Sequence, residues 1–210
     1  MIQKNIETNK KMISCSQSEL FYLSEKDPIL GEAIRKIGTI ERTFYPDFYE
    51  GFANAIIGQQ ISTKAMETVW SRLMEVCKII TPQSILDTDY DVLKTCGISG
   101  RKIDYLIQCA RKIQDGTLQV EELNQKSDGE VEKILTSLSG VGKWTAEMLL
   151  IFTFGRSNIL SFGDFGIRKG ICNLYGLDEI SLETFTEFKS TYSPYGTVAS
   201  FYLWEIARRT

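Results

Sequence analysis

The chain has 210 residues, 43% hydrophobic and 24% charged, with a net charge of −3 and no histidine. That length buries the core of one domain or of two small lobes, and the longest apolar run, Met148 to Phe152, falls far short of the ~20 residues of a membrane span. Cys15, Cys77, Cys96, Cys109 and Cys172 are scattered with no CxxC pair, which argues against a zinc site, an iron–sulfur cluster or a disulfide framework.

The lysines of "MIQKNIETNKKMISC" precede no apolar block, so the chain reads as an intracellular protein without a secretory signal. "DPILGEAIRKIG" is a helix framed by Asp27, Pro28 at its first position and Gly38 at its end. "DFYEGFANAIIGQQ" starts from Asp47 and stops near Gly58, and Ser62 caps a helix whose apolar stripe runs through Met66, Val69, Leu73 and Val76. Ile103, Leu106, Ile107, Ala110 and Ile113 share one helical face, as do Val131, Ile134, Leu135 and Leu138. Alternating runs are nearly absent, and "TLQVEEL" near residue 120 is too short for a sheet. The expected fold is all-α, roughly ten helices with short connections, the first 45 or so residues included. No flexible linker separates independent domains.

Leu138-Ser139-Gly140-Val141-Gly142-Lys143 joins two helices in a hairpin. The first glycine allows a positive φ and the second lets another backbone approach. The unpartnered amides of the following helix start suit a phosphate oxygen, with Lys143 and Thr145 adding contacts; an ordinary tight turn is the equal alternative. Residues 140–170 hold Lys143, Arg156, Arg168 and Lys169 against only Glu147 and Asp164. Local positive charge therefore offsets the overall acidity, since phosphates feel charge mainly within a Debye length of ~10 Å. Asp164 stands before "FGIRKGICNLYG", where it is either a plain helix cap or a functional carboxylate.

"LSGVGKWTA" followed by "FGDFGIRK" resembles the helix-hairpin-helix (HhH-GPD) DNA glycosylase superfamily, whose hairpin precedes an essential aspartate. "NAIIGQQIS" (54–62), "CGISGRKIDYL" (96–106) and "SPYGTVASFYLW" (193–204) resemble further signature stretches, in the family's order, from about residue 45 to the end. The likeness is greatest to the alkylated-base branch, 3-methyladenine DNA glycosylase II. It implies two helical subdomains flanking a cleft without an extra N-terminal β domain: 48–156, ending in the hairpin, and 16–47 with 157–210. Lyase-type members carry a lysine two residues after the second hairpin glycine, for Schiff-base attack on the sugar. Here that position is Trp144, and Lys143, one residue early, points ~100° away on a helix. The resemblance therefore implies a monofunctional glycosylase without strand cleavage.

In that role Asp164 stabilises an oxocarbenium-like sugar and takes a proton from attacking water. An N-alkylated purine is already cationic while attached to the sugar and leaves as a neutral base, so no protonating acid is needed. The nucleotide must be everted from the duplex. By resemblance Trp144, Phe165 and Trp204 wall the base pocket, where a cation over a ring gains roughly 0.5–2 kcal/mol; core packing in an apolar helix is the equal alternative for Trp204. Met148 stands where a relative has tyrosine. Gln60 occupies the position of the family's wedge, with Ile61 its rival; a plain cap or turn role for Gln59 and Gln60 is the equal alternative. Ser62, Lys64, Arg101 and Lys102 are candidate phosphate contacts, or, as single exposed residues, simply solvated. Family members also bind a monovalent cation through hairpin carbonyls, here Thr136, Leu138 and Val141 with Na+ or K+. The implied partner is double-stranded DNA with a damaged base, met by a cytoplasmic or nucleoid-associated monomer away from membranes. Two alternatives stand: a glycosylase for 8-oxoguanine, hypoxanthine or a mismatched base, and a non-catalytic DNA-binding module.

Overall fold

The computed structural model describes residues 11–209, and nearly all of them lie in or between helices. They divide into two units, one from Tyr45–Phe154, the other from the residues up to Phe44 together with those from Gly155 onward.

The discontinuous unit holds β1 (Lys11–Ser14), α1 (Gln17–Lys26), α2 (Pro28–Ile37), β2 (Glu41–Phe44) and three helices from the C-terminal third of the chain. The strands pair antiparallel, Lys11 opposite Phe44 and Ser14 opposite Glu41. This corrects the expectation that the first 45 residues are wholly helical. A four-residue strand offers only two alternations, too few to register as a period.

Asp27 begins α2 as expected. Its Oδ1 accepts the N–H groups of Ile29 and Leu30 at 3.1 and 3.0 Å, with Pro28 at the first position and Gly38 at φ +80° closing the helix. Its Oδ2 accepts the hydroxyls of Tyr175 and, at 2.8 Å, Tyr192. Burial pushes the Tyr175 and Tyr192 phenols up, and both stay protonated donors.

The continuous unit runs α3 (Phe48–Gly58), α4 (Thr63–Cys77), α5 (Pro82–Leu86), α6 (Tyr90–Thr95), α7 (Gly100–Gln114), α8 (Val120–Leu123), α9 (Asp128–Thr136) and α10 (Lys143–Phe152). Asp47 caps α3 through the N–H of Glu50 at 2.8 Å and Ser62 caps α4 through that of Ala65 at 3.3 Å. The "TLQVEEL" stretch contributes the single turn α8. Such short turns, α5, α6 and α8, raise the helix number above the expected ten or so. The core gathers Phe52, Ile56, Leu73, Leu106, Leu135 and Leu149, all 1% exposed or less.

In the other unit α11 (Phe165–Tyr175), α12 (Leu182–Tyr192) and α13 (Gly196–Arg209) complete the chain. Helices α11 and α13 cross closely because Gly170 has no side chain; a Cβ there would overlap the carbonyl of Leu203. No helix among the described residues is long and apolar enough to cross a membrane.

Candidate functional site

The hairpin between α9 and α10 is built by Gly140. Its φ of +84° is a region that side chains resist, and a Cβ would run into the Tyr105 ring. Gly142 behaves differently from expectation: it caps α10 in an extended conformation at φ −86°, and a Cβ there would meet nothing within 4 Å. The close approach belongs to the first glycine, and the space outside the second is open. Lys143 is exposed and pairs with Glu132 of α9 at 3.6 Å. Thr145 is turned inward and buried, accepting the Gln59 side-chain amide at 3.2 Å. Its backbone N–H, not its hydroxyl, is therefore what the helix start can offer a ligand.

Gln59 ties the loop after α3 to this hairpin, donating also to the Gly140 carbonyl at 2.9 Å. Gln60 follows, exposed and at φ +56°, and Ile61 is also exposed. Lys64 and Arg101 are exposed as well. Lys102 is not: its Nζ donates to the carbonyls of Ile57 at 2.8 Å and Gln59 at 2.7 Å. Burial pulls its amine below the usual lysine range.

Trp144, Met148 and Phe152 lie at i, i+4 and i+8 on α10, and with Tyr45, Asn54 and Gly58 they line a cavity of about 270 Å³. That is just below the ~300–1,000 Å³ typical of small-molecule pockets. Trp144 is 43% exposed at the surface and Met148 only 9%. Asn54 and Phe152 carry no local signal in the sequence. Their spacing from the hairpin becomes meaningful only once α3 and α10 pack together.

Asp164 is both cap and buried carboxylate, 7% exposed. Its Oδ1 accepts the Ile167 N–H at 2.9 Å and the indole N–H of Trp204 at 2.9 Å. The indole fits because residue 166 is glycine; a Cβ there would lie 2.9 Å from the Trp204 Cδ1. Trp204 also stacks on Phe201, centroids 6.0 Å apart. Phe165, 70% exposed, does not join Trp204. It lines a separate recess with Arg168, Lys169 and Cys172. The Gly166 and Gly170 pair was open to notice, since an i, i+4 repeat of glycine marks a helix face that another backbone approaches.

At the hairpin turn, the N–H of Val141 donates to the Leu138 carbonyl at 3.1 Å. Among the described residues no N–H or O–H donates to the carbonyls of Thr136 and Val141. Backbone carbonyl oxygens are the ligand type that holds a monovalent cation such as K+.

Residues 53–194 match the model of the HhH-GPD superfamily base excision DNA repair proteins. DNA-3-methyladenine glycosylase 1 of Schizosaccharomyces pombe is 32% identical over 165 residues, covering 76% of this chain and 72% of that protein. The crystal structure of a DNA-3-methyladenine glycosidase from Bacillus halodurans superposes with a TM-score of 0.81 at 29% identity, covering 94% of this chain and 92% of the other. The S. pombe 3-methyladenine DNA glycosylase solved in complex with abasic DNA gives 0.77 at 29% identity, covering 90% and 96%. The all-α architecture and the hairpin–aspartate order agree with these likenesses, and the chain belongs to the HhH-GPD superfamily of base excision DNA repair proteins.

Proposed function

We propose that the protein is a monofunctional DNA glycosylase that hydrolyses the N-glycosidic bond of alkylated purines, 3-methyladenine and 7-methylguanine, in double-stranded DNA. The observation that carries this is the Asp164 carboxylate, buried yet oriented by two N–H donors on one oxygen. The names of the relatives, 3-methyladenine glycosylases, supply the substrate class.

The α10 amides, with Lys143 beside them, grip a phosphate of the everted nucleotide's strand. The base is taken against Trp144 and Met148, in a pocket whose walls are aromatic and apolar. As the purine departs with the electron pair of the broken bond, C1′ of the deoxyribose gains positive charge. Asp164 stabilises that charge and accepts a proton from the water that attacks. Trp204 keeps the carboxylate in one orientation and offers an aromatic face beside it. The alkylated base is cationic while attached and leaves neutral without being protonated, so a site without histidine suffices.

Residue 144 is tryptophan, so no amine stands where a Schiff base would form, and the product is an intact abasic strand. Gln60 is the side chain that enters the vacated stack, and Ser62, Lys64 and Arg101 reach neighbouring phosphates. Na+ or K+ at the carbonyls of Thr136, Leu138 and Val141 would add positive charge at the turn beside the strand. The protein works as a monomer on nucleoid or cytoplasmic DNA.

Mass spectrometry of bases freed from methylated duplex DNA tests this reading. 3-Methyladenine or 7-methylguanine is the expected product. Release of neither, with 8-oxoguanine or hypoxanthine freed instead, assigns another lesion, and no release from a panel of lesions leaves only a DNA-binding protein.

A further inference from the structure

The last carbonyls of an α-helix have no partners within it, and the helix end carries about half a negative charge. Helix α3 ends at Gly58, directly before the loop that must meet DNA, so its exposed carbonyl end would repel the phosphates that approach it. Lys102, the third residue of α7, lies across that end. Its ammonium donates to Ile57 at 2.8 Å and Gln59 at 2.7 Å, two charge-assisted hydrogen bonds.

Gln59 is thereby held twice, by its own carbonyl through Lys102 and by its side chain through Gly140 and Thr145. The next residue, Gln60, sits at φ +56°. That backbone region costs a non-glycine residue about 1–2 kcal/mol and persists only where its surroundings over-determine it. The surroundings here are the two grips on Gln59.

We infer that Lys102 is a positioning residue for base eversion: it neutralises the carbonyl end of α3 and holds the 59–61 turn in the shape that presents Gln60 outward. The inference rests on the reading of Gln60 as the side chain that enters the stack. Lys102 touches neither substrate nor phosphate in this role; two of its three N–H donors are committed to the protein. A pre-shaped loop pays no ordering entropy on entering the duplex.

The test uses the full chain as wild type, Lys102→Met, Gln60→Ala and the double variant. Hydrogen exchange is followed at residues 57–63, and single-turnover base release is measured on a duplex with one lesion. Lys102→Met is expected to speed exchange at 59–61 about tenfold while the amides within α7 and α10 keep their protection. Base release is expected to slow about tenfold, and the double variant to be no slower than Gln60→Ala alone.

Unchanged loop exchange overturns the tether. Losses that add in the double variant overturn the route through Gln60. Exchange accelerated throughout α3 and α7 shows that Lys102 only supports the fold, which also overturns the proposal. A wild type that frees no base defeats the glycosylase reading instead, and loop exchange still decides whether Lys102 holds the turn.

Discussion

The indole N–H of Trp204 donates to Oδ1 of Asp164 at 2.9 Å, across 40 residues of sequence. The orientation of the carboxylate is therefore set by α13 as well as by its own helix start. Removing the charge and removing the orienting donor should have separable effects.

Asp164→Asn is expected to bind lesion DNA within a few-fold of wild type and to release base at least about 100-fold more slowly. Trp204→Phe keeps a ring but loses the N–H, and release should fall about tenfold. Single-turnover release and a binding titration on one lesion duplex check both; turnover retained by Asp164→Asn would remove this residue from the chemistry.

The two hairpin glycines make different predictions. Gly140→Ala must hold a side chain at φ +84° against Tyr105, and should cost about 1–3 kcal/mol of stability. Gly142→Ala sits in extended backbone with open space, and should stay within about 0.5 kcal/mol of wild type while weakening DNA binding. Urea titration and DNA titration of both variants read the contrast.

Borohydride added during the reaction is expected to trap no protein–DNA covalent complex, and the product strand should break only after alkali. A trapped complex on denaturing gels would assign a nucleophilic amine.

Met148 forms the buried part of the pocket wall. Met148→Ala enlarges the cavity and should shift release towards bulkier adducts, at a stability cost of about 2–4 kcal/mol. Competition between methyl and larger alkyl purines in one duplex pool measures the shift.

Glu205 links β2 to α13 by accepting from Arg42 and Arg208, each at 2.6 Å. Burial pushes its carboxyl up, but the hydrogen bonds and charges of Arg42 and Arg208 outweigh this and hold it below its ordinary value of 4.5. A lowered folded-state value means stability that is complete above 4.5 and is lost as pH falls through the folded value. Glu205→Gln should therefore cost about 2 kcal/mol at pH 7, and the gap to wild type should close in acid. Denaturant titrations at pH 7 and pH 3.5 provide the comparison.

The caps at Asp27, Asp47, Ser62 and Asp164 were legible in the sequence because a cap and its N–H partner lie within three residues. Gly140 was legible for a similar reason, since a turn this tight is a local demand on the backbone. What stayed hidden depends on partners far along the chain. Lys102 reads as a solvated cation until α7 brings it to carbonyls more than 40 residues away. Trp204 reads as a core or pocket residue, and only the crossing at Gly166 and Gly170 gives its N–H an acceptor. Thr145 reads as a phosphate contact from its place in the first turn of α10, yet two residues on a helix turn through about 200°, which leaves Lys143 in solvent and Thr145 in the core.

Asp27 holds segments from both ends of the chain together through uncharged phenol donors, Tyr175 and Tyr192. Mobile ions have little purchase on buried hydrogen bonds of this kind, whereas each phosphate gripped by an exposed Lys or Arg releases a counterion. Raising ionic strength should strip the protein from DNA without loosening that unit, so grip and fold respond to separate controls.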